Sequence, residues 1–178
     1  MKILKNKLKS QLNIRTQKDF PIEGIEFIDI MPLIIQKETF KEIVEKFVEE
    51  IKDKDVDYIV GPEARGLIIG AAVANELEIG FIPVRKAGKL PPETVEKQFE
   101  YEKEYGKDKQ ELPKLVNEEY KNKKFYIIDD IYATGNTMKA IMQAIQEIGG
   151  IIKGQGVIMN IKELNNDEVF SLLDVNET

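Results

Sequence analysis

An α/β fold, a mostly parallel twisted sheet with helices on both faces, is what this sequence predicts, and three observations carry it. Short runs of β-branched and aromatic residues at 57–60, 81–84, 125–128, 151–161 and 170–173 alternate with stretches whose apolar residues recur at helical spacing. Phe125, Tyr126, Ile127 and Ile128 have no polar residue among them, as a central strand covered on both faces requires. Three of the runs, ending at Val60, Val84 and Ile128, lead into loops rich in Gly and in charge or hydroxyls. In open α/β sheets ligands sit outside the carboxyl ends of the strands, so these loops mark one edge as the functional one.

Composition narrows the chemistry. A chain of 178 residues with 42 % hydrophobic residues is long enough for one domain with a real core. Its 26 basic and 32 acidic residues leave a net charge of −6, which argues against a chain-wide nucleic-acid surface. With no Cys there is no disulfide or thiolate metal site, and with no His there is no imidazole base. Chemistry must come from carboxylates, cations, backbone and metal. No apolar run approaches the ~20 residues of a membrane span and the N-terminus lacks a signal peptide's apolar segment, so no membrane partner is expected and the cytoplasm is the default.

Taken in order, residues 1–18 carry six basic residues with Leu4, Leu8 and Leu12 on one helical face, predicting a docked helix. Residues 19–32, punctuated by Pro21 and Gly24, read as a loop and short strand containing Phe27. Phe40, Ile43, Val44, Phe47, Val48 and Ile51 predict a packing helix over 39–52 with Thr39 as its cap. The strand at 57–60 ends in Gly61 to Gly66 and an apolar helix follows, placing Arg65, a planar fork suited to phosphate oxygens, at a strand edge. After the strand at 81–84, Arg85, Lys86 and Lys89 crowd a loop shaped by Gly88 and Pro91, which predicts a polyanion site. The charged, weakly periodic stretch 92–119 is too long for a plain connection and predicts a lid.

The stretch 125–137 follows, FYIIDDIYATGNT. Asp129 and Asp130 emerge at the strand's carboxyl end, and Ala133, Thr134, Gly135, Asn136 and Thr137 are expected to cradle an anion. Gly135 permits a tight turn, Asn136 tolerates a left-handed conformation, and the hydroxyls stand beside the unpaired N–H groups of the next helix. The triphosphatase loop is excluded, because no G-x-x-x-x-G-K-[ST] occurs. Met138, Ile141, Met142, Ile145 and Ile148 then mark a helix face that Gly149 and Gly150 terminate, two further strands follow, and the tail 174–178 is expected to fray.

The strings IIDDIYATGNT and VRKAGKLP resemble the type I phosphoribosyltransferases, and the second is most similar to the adenine phosphoribosyltransferases. DFPIEGIEFIDI resembles that family's N-terminal hood, with Ile28 where Arg is usual, and EYG at 104–106 resembles the core of its flexible loop. The resemblance implies one phosphoribosyltransferase domain over 1–178, with a hood at about 1–35 and a lid at about 92–119. It implies transfer of the phosphoribosyl group from phosphoribosyl diphosphate (PRPP) to adenine, giving AMP and pyrophosphate, in a homodimer. Asp129 and Asp130 would hold the ribose hydroxyls, residues 133–137 the 5′-phosphate, and Arg65, Arg85, Lys86 and Lys89 the diphosphate. Phe27, Ile28 and Ile131 would contact the base, Glu104 handle its proton, and Tyr105 shield the site. Mg²⁺ is the expected cofactor, reaching its place through substrate and water near Asp129 and Asp130 rather than through a protein cage. An enzyme for a 6-oxopurine and a non-catalytic PRPP-binding regulator are the alternatives.

Overall fold

A computed structural model describes residues 15–19, 23, 26–103 and 106–175. In chain order the elements are β1 (Arg15–Lys18), β2 (Glu26–Asp29), α1 (Met31–Ile35), α2 (Lys37–Ile51), β3 (Tyr58–Pro62), α3 (Arg65–Glu76), β4 (Gly80–Lys86), β5 (Val95–Lys103), β6 (Gly106–Pro113), β7 (Lys124–Tyr132), α4 (Asn136–Glu147), β8 (Ile151–Ile161) and β9 (Phe170–Val175). β1 and β2 form a separate two-stranded ribbon, and the other seven strands form one sheet in the order β5-β6-β4-β3-β7-β8-β9. From β4 to β9 every neighbouring pair is parallel, and β5–β6 is an antiparallel hairpin joined antiparallel to β4. The expected α/β class is the one observed.

Strand β7 shows why the sheet is covered on both sides. Alternate side chains leave a strand on opposite faces. Phe125 and Ile127 accordingly join the cluster built on Met138, Ile141, Ala144 and Ile145 of α4. Tyr126 and Ile128 join the other cluster, with Ile43, Phe47 and Ile51 of α2 and Ile69 and Val73 of α3. An all-apolar strand satisfies both layers at once. Helix α2 buries Ile43, Phe47 and Ile51, four residues apart each time, and turns Lys41–Glu45 and Lys46–Glu49 pairs outward.

Several boundaries differ from the sequence reading. The helix expected over residues 1–18 does not extend through 15–18, which pair antiparallel with Glu26–Asp29; Leu4, Leu8 and Leu12 lie outside the described residues. Cross-strand pairing outweighs helical spacing where the neighbouring strand supplies the hydrogen bonds. Helix α2 begins at Lys37 rather than Thr39, with Gln36 as its cap residue. A short helix, α1, follows the ribbon where a loop and strand were expected, its turn opened by Asp29 Oδ1 accepting the Met31 N–H at 2.9 Å. The stretch 92–119 is largely a hairpin, β5–β6, because its alternating residues pair across eight register positions from Val95↔Pro113 to Lys103↔Gly106. Strands β4 and β7 also run further than their apolar cores, to Lys86 and Tyr132.

Candidate active site

Strand register gathers the three loops. β3 aligns Pro62 with Val84 of β4 and Val60 with Ile127 of β7, so the residues just past Pro62, the Arg85–Lys89 stretch and the Asp129–Asp130 pair share one sheet edge. Because β7 continues to Tyr132, the two Asp are strand residues rather than loop residues. The Asp130 N–H donates to Asp129 Oδ1 at 2.8 Å. Arg65, the first residue of α3, brings its Nε to 2.7 Å from Asp130 Oδ2 as a close ion pair; that oxygen makes no well-aligned hydrogen bond. Helix α3 can start this close because residue 66 is Gly. A Cβ there would stand 2.6 Å from Pro62 Cδ and 3.0 Å from Asp129 Oδ1.

The electrostatics of the pair are unequal. Burial first, then the neighbouring Asp130 carboxylate, push the Asp129 carboxyl well above the usual Asp range, while the Asp130 N–H and Arg65 pull the other way. Arg65, expected to face a diphosphate, here also reaches Asp130, a contact a sequence cannot reveal because the two are 65 positions apart. Among the described residues no three acidic side chains converge as a metal cage. The half-buried Asp129 and its neighbour do offer hard oxygens of the kind Mg²⁺ takes when a substrate supplies the rest.

The basic loop is held from beneath by two carboxylates. Glu63 Oε2 accepts Arg85 Nε at 2.9 Å and the Lys86 N–H at 3.1 Å, and Arg85 holds the Glu63 carboxyl below its ordinary range. Glu111, 5 % exposed on β6, accepts the Gly88 N–H and Gln98 Nε2 through one oxygen, each at 3.0 Å. Gly88 has φ +78°, and the Lys89 N–H closes a turn on the Lys86 carbonyl at 3.1 Å. The side chains of Lys86 and Lys89 are exposed. Neither Glu63 nor Glu111 was assigned these supporting roles from the sequence, because strand pairing that the sequence reading did not foresee sets Glu111 beneath the loop.

In the anion loop the left-handed residue is Gly135, at φ +78°, and Asn136 is the first residue of α4 rather than a left-handed one. A Cβ on Gly135 would lie 2.2 Å from Tyr132 Oη, so the position tolerates only Gly. Behind the loop, Asn165 Nδ2 donates to the Ala133 carbonyl at 2.7 Å, and Lys139 Nζ to that of Thr134 at 3.3 Å. Asp167 accepts from Tyr132 Oη at 3.0 Å and pairs with Lys139 at 2.6 Å. Burial and Asp167 together push the Tyr132 hydroxyl up to about 12, keeping it a donor at neutral pH. Asn165, Asp167 and Lys139 carried no sequence signal. Of the base-contacting candidates, Ile28 and Ile131 are half-buried against the α2–α3 cluster. Glu104 and Tyr105 lie outside the described residues, as does the Phe27 side chain.

Comparison with known proteins agrees with this geometry. The phosphoribosyl transferase domain family matches residues 34–157. An adenine phosphoribosyltransferase of Clostridium acetobutylicum is 44 % identical over 156 residues, 88 % of each chain. The crystal structure of adenine phosphoribosyltransferase from Thermoanaerobacter pseudethanolicus superposes with a TM-score of 0.84 at 33 % identity, covering 96 % of this chain and 99 % of that one. That of Saccharomyces cerevisiae, complexed with an imino-altritol bisphosphate and adenine, gives 0.81 at 33 % identity over 97 % and 100 % of the two chains.

Proposed function

The chain belongs to the adenine phosphoribosyltransferase family, and from that premise we propose how its residues transfer the phosphoribosyl group of PRPP to adenine, giving AMP and pyrophosphate. The observation that carries the reading is the Asp129–Asp130 pair, set on a strand edge between an arginine and a glycine-capped loop at a helix N-terminus. The loop 133–137 takes the 5′-phosphate on backbone N–H groups that α4 leaves unpaired. Asp129 and Asp130 accept hydrogen bonds from the 2′ and 3′ hydroxyls. Arg65, Arg85, Lys86 and Lys89 face the diphosphate, so substrate exchanges the Arg65–Asp130 contact for contacts of its own.

In the reaction N9 of adenine bonds to C1 of the ribose while the C1–O bond to diphosphate breaks, the electron pair leaving on oxygen. Fixed cations and N–H groups stabilise that developing charge in place, which is why a chain without His can do this chemistry. Glu104 takes the N9 proton, Phe27, Ile28 and Ile131 hold the base, and Tyr105 with the β5–β6 hairpin closes over it. Mg²⁺ would sit beside Asp129 and Asp130 and supply charge neutralisation for the diphosphate. We place the chain in the cytoplasm as a single-domain homodimer, for which the exposed Ile35 and Ile68 on α1 and α3 are apolar side chains a second copy would cover. The test is pyrophosphate release from PRPP and Mg²⁺ with adenine, hypoxanthine, guanine or no base, for wild type and an Asp129→Asn/Asp130→Asn variant. Adenine-dependent release lost in the variant is expected. Release with hypoxanthine alone would move the base assignment, and PRPP binding without release would make the protein a sensor.

A further inference from the structure

We propose that Asn165, on the connection between β8 and β9, is a positioning residue that sets affinity for the ribose-phosphate substrate without touching it. The inference rests on the phosphate role given above to residues 133–137. Asn165 Nδ2 lies 2.7 Å from the Ala133 carbonyl, 2.9 Å from that of Ile161 and 3.0 Å from Asn160 Oδ1. Asn160 is fully buried on β8, in register with Tyr132 of β7, so it anchors the connection to the sheet. Asn165 Oδ1 in turn accepts the Asp167 N–H at 3.2 Å. Asp167 then holds Tyr132 and Lys139, and Lys139 reaches the Thr134 carbonyl. The connection therefore holds the Ala133 carbonyl directly and, through the Asp167–Lys139 pair on α4, steadies the contact to the Thr134 carbonyl.

That grip has a consequence for the loop's donors. In a trans peptide the C=O and the N–H of the same unit point in opposite directions. Fixing the Ala133 carbonyl toward the connection turns the Thr134 N–H away from it, toward the side assigned above to the anion, and the Lys139 contact orients the next peptide unit. Without Asn165 the first of these peptide units is free to rotate, and the phosphate must order it on binding. Such an effect acts on ground state and transition state alike, so it belongs in KM rather than kcat.

The experiment compares wild type, Asn165→Ala and the isosteric Asn165→Asp, which keeps the shape but loses the donors. Ribose 5-phosphate affinity is read by calorimetry, KM for PRPP and for adenine and kcat by steady-state kinetics, and folding by melting temperature. Loss of one ordering hydrogen bond should weaken ribose 5-phosphate and raise KM for PRPP about tenfold in both variants. KM for adenine and kcat should stay within about twofold. Unchanged ribose 5-phosphate affinity in a folded variant overturns the inference, as does a parallel loss for both substrates. Should Asn165→Ala not fold, Asn165→Asp carries the test. If wild type releases no pyrophosphate with adenine yet ribose 5-phosphate binding still falls in the variants, the inference about the loop stands and the assigned reaction fails.

Discussion

Asp129 is the residue whose environment works hardest against it. Burial and Asp130 raise its pKa in the folded chain. A raised carboxylate contributes stability that is complete below the ordinary Asp value, ~4, and is lost as pH rises through the higher folded value. Asp129→Asn removes that loss, so the variant should melt above wild type at neutral pH, by roughly 2–4 °C for each kcal/mol relieved. The difference should close as pH falls toward the ordinary Asp range. Ribose hydroxyls donate more strongly to the ionised form, so AMP binding should release a proton and tighten with pH through the same window. Calorimetry in two buffers of different ionisation enthalpy measures that proton. Its persistence in Asp129→Asn would assign it elsewhere. Gly135 shows the complementary constraint, since both its φ and the Tyr132 ring forbid a side chain.

At the scale of elements, the hairpin β5–β6 is tied to the basic loop rather than standing clear of it. Glu111 binds the Gly88 N–H and Gln98 at once, and the Ala87 N–H donates to the Lys109 carbonyl at 2.9 Å. Movement of the hairpin is thereby linked to the loop proposed to hold diphosphate. Glu111→Ala leaves a backbone donor and an amide without their acceptor, at about 1–3 kcal/mol. KM for PRPP should rise by about an order of magnitude, with a smaller change in KM for adenine. Initial-rate kinetics with each substrate varied in turn measures this, and equal shifts in the two would place Glu111 in general stability instead.

For the whole molecule, one sheet separates two apolar clusters, and neither layer can unfold without exposing β7. A single cooperative unfolding transition is expected. Phe47, fully buried on α2 and edge-on to Phe170 of β9 with ring centroids 5.7 Å apart, links the first core helix to the last strand. Phe47→Ala should cost about 3–5 kcal/mol in that one transition, read by urea denaturation. Two transitions, only one of them shifted, would divide the chain into separate units.

The sequence by itself determined the class of fold and the order of its parts, because an all-apolar strand and helix-spaced residues encode burial locally. It likewise singled out Asp129, Asp130, Gly135 and the Arg85–Lys89 cluster as candidates, since strand ends followed by charge or glycine are local patterns, and strand register brings them to one edge. It misjudged residues 15–18, the hairpin at 95–113 and the left-handed position, where pairing between distant segments or the start of a helix decides the backbone. Only the tertiary structure decided which partner each charge would find. Arg65 with Asp130, Glu63 with Arg85, Glu111 with Gly88 and Asn165 with Ala133 are contacts across 22 to 65 positions, made by strand register and therefore invisible to any reading of neighbours.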